Sequence, residues 1–181
     1  MDEAQVISEV RTGATEAFGE IVEHYQAPIV RYLSRLTGDP EVARDLAQDT
    51  FVQAYKGILK TRSELRFKAW LYRIATNNAL QYHRRRRLLS FVPFVGSEGP
   101  ELRDTSTSPD AVPERMAIQE ALLEVPLQRR ECLVLHYVEG LKYREIAGVV
   151  DATEEAVRKR VSRGSKEFRE AYRRLSGDVP E

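Results

Sequence analysis

The stretch Asp151-Ala152-Thr153-Glu154-Glu155-Ala156-Val157-Arg158-Lys159-Arg160-Val161-Ser162-Arg163-Gly164-Ser165-Lys166-Glu167-Phe168 decides how the rest of the chain is read. Val157, Val161, Gly164 and Phe168 recur at the spacing of one helix face and predict a buried stripe. Glu155, Lys159, Ser162, Arg163 and Lys166 fall on the opposite face. Thr153 is a candidate N-cap, and Glu154 and Glu155 suit the positive end of the helix dipole. Just upstream, residues 143–150 read as a short amphipathic helix, with only Asp151-Ala152-Thr153 between the two. Two helices across so short a turn, the second with five bases and no acid between Val157 and Lys166, describe a helix-turn-helix. A helical hairpin with a solvated charged face shares this pattern, so the remainder of the chain has to separate the two.

Moving outward, Met116, Ile118, Leu122 and Leu123 predict one helix, Val125-Pro126 a break, and Cys132, Leu133, Leu135 and Val138 a second helix that stops at Gly140. Residues 89–113 lose all periodicity and carry Pro, Gly, Ser and acids, the composition of an inter-domain linker. Before it, a helix from about Leu65 to Leu88 buries Phe67, Trp70, Leu71, Ile74 and Ala75 and ends in four arginines, 84–87. Those charges, with Tyr72, Asn77, Asn78 and Tyr82, combine phosphate binding with groups able to stack on or pair with unpaired bases. Positive charge at a helix C-terminus also has a purely structural use. A polar break covers residues 60–64.

Nearer the N-terminus, Asp39-Pro40-Glu41 signals a helix start, and the helix runs through Val42, Leu46, Thr50, Ala54 and Ile58 while exposing Asp45, Gln48, Asp49 and Gln53. An earlier helix carries Phe18, Ile21, Val22, Tyr25, Ile29, Leu33 and Leu36 and closes at Thr37-Gly38; Pro28 within it predicts a kink or a split. Residues 2–11 predict a short helix. No β-alternation or hairpin turn occurs, so the expectation is an all-α chain of two helical bundles.

The 181 residues hold 28 bases and 28 acids, a balance that conceals strong segregation. Residues 1–53 have a net charge of −6, residues 66–88 carry seven bases and no acid, and residues 89–114 have a net of −4. Such alternation points to separate surfaces for separate partners, with the basic ones facing phosphate. The one cysteine, Cys132, lies in an apolar run; buried filler in a reducing compartment is the reading. No apolar run nears the ~20 residues of a membrane span, and the acidic start has no signal-peptide character, so a soluble cytoplasmic protein is expected. His24, His83 and His136 are scattered, with no HExxH, no paired cysteines and no Gly-rich phosphate loop. Neither a catalytic constellation nor a metal or cofactor site is expected; any chemistry belongs to a partner.

The order of these parts resembles an extracytoplasmic-function (ECF, group IV) sigma factor of the bacterial sigma-70 family. Residues 45–55, Asp-Leu-Ala-Gln-Asp-Thr-Phe-Val-Gln-Ala-Tyr, are similar to that family's polymerase-binding helix in its second conserved region. Residues 67–78 followed by the arginines are similar to its helix that melts and reads the minus-ten element. Residues 140–147 with Val157-Arg158-Lys159-Arg160 and Arg163 are similar to the minus-thirty-five reader of its fourth region. The resemblance implies a region 2 domain over 1–88, a flexible linker over 89–113, a region 4 helix-turn-helix domain over 114–176 and a tail over 177–181. It implies core-polymerase contacts by Asp45, Gln48, Asp49, Phe51 and Gln53 on the largest subunit's clamp. Minus-ten contacts would come from Lys68, Trp70, Arg73, Asn77, Asn78, Arg84 and Arg85, with the loop 60–65 meeting the non-template strand. Minus-thirty-five contacts would come from Glu155, Arg158, Lys159, Ser162, Arg163 and Lys166. An anti-sigma partner is a further expectation from the family. Asp151 stands where the family usually has a turn glycine, Glu154-Glu155 bring negative charge near DNA, and Gly164 weakens its helix by about 1 kcal/mol relative to alanine. Glu155 can accept from a cytosine amino group or simply serve the helix dipole. A stand-alone helix-turn-helix regulator and a helical protein-binding adaptor are the rival readings; the first leaves residues 45–55 and the arginine run unexplained.

Overall fold

The computed structural model describes residues 2–60, 66–90 and 112–177. The expected loop at 60–65 and most of the linker at 89–113 lie outside the described residues. Within them every regular element is helical, and they fall into two compact units: 2–34, 40–60 and 66–90 in the first, 35–39 and 112–177 in the second.

The first unit begins with α1 (Glu3–Arg11), whose N-cap Asp2 accepts from the Ala4 and Gln5 amides at 3.0 and 3.3 Å. Val6, Ile7 and Val10 form its buried face, and a 3-10 turn at Thr15–Ala17 leads into α2 (Phe18–Thr37). Pro28 does not split α2, contrary to one of the two outcomes expected for it. Ile21, Tyr25, Ile29 and Leu33, on both sides of the proline, are buried, and that packing outweighs the ~3 kcal/mol penalty of an interior proline.

Helix α3 (Pro40–Lys60) starts at the expected proline and buries Ala43, Ala47, Thr50, Phe51, Ala54 and Ile58. These mostly small residues allow α4 (Phe67–Ser90) to come close. At Gly57 the approach is closest, because a β-carbon there would lie 2.6 Å from Cζ2 of Trp70. Tyr32 and Tyr72 meet edge to face at 5.1 Å, and the Tyr32 hydroxyl pairs with Thr76 Oγ1 at 2.7 Å, so a buried polar pair is satisfied inside the apolar core.

In the second unit α5 (Val112–Glu124) and α6 (Leu127–Tyr137) are separated by the expected break at Val125-Pro126. The last carbonyls of α5 lack intrahelical donors, and the buried Arg130 supplies them: Nη2 donates to Leu123 O at 2.6 Å, and Nε and Nη2 donate to Val125 O at 3.2 and 3.0 Å. Burial lowers the guanidinium to about 10, which still leaves it charged at neutral pH. Then come α7 (Tyr143–Val149) and α8 (Glu154–Ser176), the latter capped by Thr153 and ended by Gly177 at φ 76°. Val157 and Val161 are buried as the periodicity predicts, and so is Gly164. The role foreseen for Gly164 as a weak point is incomplete. A β-carbon there would sit 3.0 Å from Leu133 Cδ1 and 3.2 Å from Arg129 Cβ, so the missing side chain lets α8 close on α6.

Asp151, in the turn between α7 and α8, has φ 51°, the left-handed region that favours glycine. It is exposed. Replacing it by glycine is expected to stabilise the chain by about 0.5–1 kcal/mol, because the steric strain removed exceeds the entropy glycine adds. A lower thermal midpoint in D151G than in the parent would refute this.

Candidate nucleic-acid and polymerase interfaces

Three surfaces emerge from these helices. On α8 the residues opposite the buried stripe, Glu155, Arg158, Lys159, Ser162, Arg163 and Lys166, are all exposed on one face. Arg158 Nη2 lies 3.1 Å from Glu154, Lys159 Nζ lies 2.6 Å from Glu155, and Lys166 Nζ lies 3.9 Å from Glu170, each one turn away along the helix. The Arg158 guanidinium also sits 5.5 Å from the centre of the Tyr143 ring, which stacks on His136 at 4.5 Å. Helix α8 therefore offers its charged face to solvent, and α7 braces its first two turns.

The second surface is α4. Lys68, Arg73, Asn77, Arg84 and Arg85 are exposed along it. Asn78 is not, which corrects its assignment as a base reader: it is only 7% exposed and both ends of its amide are occupied. Its Nδ2 donates to Thr50 Oγ1 and its Oδ1 accepts from Gln53 Nε2, each at 3.0 Å, while Thr50 Oγ1 donates to Leu46 O at 2.7 Å. Tyr72, foreseen as a stacking group, is fully buried against Tyr32. Trp70 is half-buried, its ring lying against Gly57 and tilted on Phe67 at 5.7 Å, so it joins α3 to α4.

The third surface is the outward side of α3, where Asp45, Gln48, Asp49 and Gln53 are exposed as expected. Phe51 is only 7% exposed and forms the floor of a groove rather than an outward contact. That groove, about 540 Å³, runs between α2 and α3, with Val22, Val30, Val52 and Tyr55 along its apolar lining and Arg44, Gln48 and Lys56 among its polar groups. The sequence reading missed it. Its signal was Val52, an apolar residue set among polar ones on the solvent side of α3 and 46% exposed.

Comparison with known proteins decides what these surfaces belong to. Residues 21–88 match the family model for sigma-70 region 2, and residues 115–168 match the model for sigma-70 region 4. Over 173 residues the chain is 30% identical to the ECF RNA polymerase sigma-E factor of Escherichia coli (strain K12), covering 87% of each chain. The chain belongs to the ECF sigma factors of the sigma-70 family. The ECF RNA polymerase sigma factor SigW of Bacillus subtilis (strain 168) is similar as well, at 29% identity over 179 residues and 93% of this chain and 96% of the relative. Among solved structures, the sigma factor RpoE in complex with the anti-sigma factor NepR from Bartonella quintana shares the fold, with a TM-score of 0.68 at 21% identity, over 85% of this chain and 95% of that one. This sigma factor is thus an alternative initiation factor that binds core RNA polymerase and directs it to promoters. Among its described residues no helix is long and apolar enough to cross a membrane.

Beneath the α8 surface lies a feature that the sequence concealed. Glu131 is 2% exposed, its carboxylate is 4.0 Å from Arg160 of α8, and its Oε2 has no hydrogen-bond partner. Burial pushes its carboxyl up to about 7, with Arg160 pulling the other way. Burial also raises the neighbouring Cys132 thiol to about 11, so it stays protonated and serves as core filler. In the unfolded chain Glu131 loses its proton near its ordinary value of 4.5; in the folded chain it holds the proton to about 7. The native state then binds more protons between those values, and stability falls as pH rises from about 4.5 to 7. Glu131→Gln is expected to remove that decline and to stabilise the sigma factor above pH 7 by about 2–3 kcal/mol. Urea unfolding of both proteins across this pH range checks it; parallel curves would refute the assignment.

Proposed function

We propose that the sigma factor divides its work by unit: residues 1–88 dock on polymerase and read the minus-ten element, and residues 114–176 read the minus-thirty-five element through α8. Residues 89–113 connect the two. The observation that carries this is the separation of three exposed faces, acidic and polar on α3, basic on α4, and mixed with excess base on α8. Asp45, Gln48, Asp49 and Gln53, with the groove floored by Phe51, meet the clamp of the largest polymerase subunit. Apart from Arg44 and Lys56 at the groove, the named side chains are acidic or neutral, so this face lacks the dense positive charge of a phosphate-binding surface.

Lys68, Arg73, Arg84 and Arg85 hold backbone phosphates of the melted minus-ten strand, and Asn77 is the amide placed to read an unstacked base. Arg158, Lys159, Ser162, Arg163 and Lys166 meet the upstream duplex, and Glu155 stands beside them in the first turn. Asn78, Trp70 and Phe51 act through the packing that sets these faces. The polymerase carries the chemistry, and the sigma factor has no catalytic role of its own. It works in the cytoplasm, and an anti-sigma protein covers one or both polymerase-facing surfaces; the Bartonella quintana sigma factor of the same fold is itself in complex with an anti-sigma factor.

Run-off transcription with purified core polymerase on a promoter library tests this. New starts that share two elements at fixed spacing, and that appear only with the sigma factor present, are expected. No new starts, together with tight duplex binding by the chain alone, would make it a stand-alone regulator instead.

A further inference from the structure

Among the described residues, five bases of α8 stand beside acids, and four of those acids are exposed: Glu154 beside Arg158, Glu155 beside Lys159, Glu170 beside Lys166 and Glu124 beside Arg174. Water screens pairs of that kind, so they restrain their bases little. The fifth base, Arg160, differs because its acid, Glu131 of α6, is sealed from solvent. Arg160 precedes Arg163 by one turn and borders the exposed face of α8, with its side chain 29% exposed. The direction it takes therefore depends on a buried charge.

The contact is of a kind that can be undone. Arg160 Nη1 lies 4.0 Å from Glu131 Oε1, too far for a hydrogen bond, so the attraction is coulombic and lapses when the carboxyl gains a proton. Glu131 Oε2 has no hydrogen-bond partner, which makes the charged form costly between α6 and α8. Burial accordingly keeps the carboxyl neutral up to about 7, against the pull of Arg160. Other charged groups of the packed elements are engaged elsewhere. Arg129 pairs with Glu167 across the same interface, and Arg130 serves the carbonyls at the end of α5. Glu124 of α5 pairs with Arg174, and Glu145 of α7 accepts from the Lys142 amide. The Cys132 thiol also meets Arg160, but burial raises it to about 11 and it carries no charge across this range. His136, further along α6, stacks on Tyr143, the ring beside Arg158.

We propose that Glu131 is a proton-operated positioning residue for α8: when charged it holds Arg160 back against α6, and when neutral it leaves Arg160 free to take a phosphate of the upstream duplex beside Arg163. The inference rests on the reading of α8 as the upstream helix. Below pH 7 the carboxyl is neutral and Arg160 is available; above it the carboxyl is charged and Arg160 is withdrawn, so duplex binding weakens as pH rises through 7. By linkage, binding near that pH takes up a proton, because a phosphate that draws Arg160 away removes the charge that favours ionised Glu131.

The test uses holoenzyme assembled with full-length wild type, Glu131→Gln or the double variant E131Q/R160Q, bound to one promoter fragment over a salt series at about pH 6 and about pH 8, either side of the Glu131 transition. Glutamine mimics the neutral carboxyl in size and shape, and the double variant leaves no buried charge unmet, so both fold. Ratios to E131Q cancel the pH response of the polymerase itself. On that scale wild type is expected to match E131Q at the lower pH. At the higher pH it is expected to bind about threefold to tenfold more weakly, with a logarithmic salt slope shallower by about 0.9, the loss of one phosphate contact. E131Q/R160Q is expected to be weaker and shallower at both. A purely structural role for Glu131 would move unfolding curves and leave these slopes alone. Wild type in a constant ratio to E131Q at the two pH values would overturn the inference and pass any remaining pH response to another group, such as His136. E131Q/R160Q binding as E131Q does would overturn it too, since Arg160 would then carry no contact. Absence of promoter-specific binding by wild-type holoenzyme at either pH would overturn the sigma reading of the surfaces, and this inference with it.

Discussion

Replacing Lys159 and Arg163 together by alanine is expected to lower promoter-directed transcription by tenfold or more, with the loss confined to promoters that depend on their upstream element. Both side chains are exposed on the outer face of α8, one turn apart, and neither supports the core. Contact with a base edge contributes about 1–3 kcal/mol, and a phosphate contact somewhat less, so two lost contacts amount to at least about a factor of ten in promoter occupancy. The thermal midpoint should move little, because exposed substitutions lie within about 0.5 kcal/mol. Run-off yields at limiting holoenzyme measure the effect, and yields within twofold of wild type would remove α8 as the upstream reader. Raising the holoenzyme concentration should recover most of the loss, since on the proposed division of work opening of the minus-ten region falls to α4 and not to α8.

The second large effect concerns Gly57. Alanine there puts a β-carbon 2.6 Å from Cζ2 and 2.9 Å from Cη2 of Trp70, separations that cannot persist. The ring is rigid, and it is tilted against Phe67, itself fully buried, so it cannot turn aside without opening the α3–α4 interface. Overpacking of this kind costs about 1–3 kcal/mol, and the ~1 kcal/mol gained by placing alanine in a helix offsets part of it. Net destabilisation of about 1–2 kcal/mol is expected for G57A and more for G57V, by urea unfolding. Trp70→Leu alone should also destabilise, but in G57A/W70L the two changes should partly cancel, since removing the ring makes room for the methyl group. Strict additivity in that double mutant would show that the clash is not the cause.

Much of this architecture can be read from the chain because its helices are punctuated where they begin and end. Thr153 caps α8, Pro40 opens α3, and Gly140 and Gly177 stand just beyond helical segments with positive φ. The charged face of α8 was legible for the same reason: its stripe of Val157 and Val161 is unambiguous. Finer assignments failed where neighbouring residues differ only by a rotation of about 100° around the helix. Asn77 and Asn78 are chemically identical and adjacent, yet only one meets solvent, and that depends on Thr50 across the interface. Residues 129–131, Arg-Arg-Glu, have the look of a solvated charged turn, whereas Arg130 and Glu131 are both buried through contacts set by α5 and α8. Gly164 read only as a weak helix position, and Gly57 gave no signal, because the residues that need their missing β-carbons, Leu133 and Trp70, are remote in sequence.

The chain of hydrogen bonds from Gln53 through Asn78 and Thr50 to the Leu46 carbonyl bears on how such proteins can be rebuilt. Gln53 is exposed on the face assigned to polymerase, and Asn78 belongs to the helix assigned to promoter melting. A chimera that grafts α4 from a relative to obtain a new downstream preference would bring a foreign residue opposite Thr50 and Gln53, removing the amide that donates to the Thr50 hydroxyl and accepts from Gln53, two hydrogen bonds that contribute about 0.5–1.5 kcal/mol each. Synthetic circuits that need orthogonal variants of this factor should therefore transplant α3 and α4 as one cassette, or leave position 78 as asparagine.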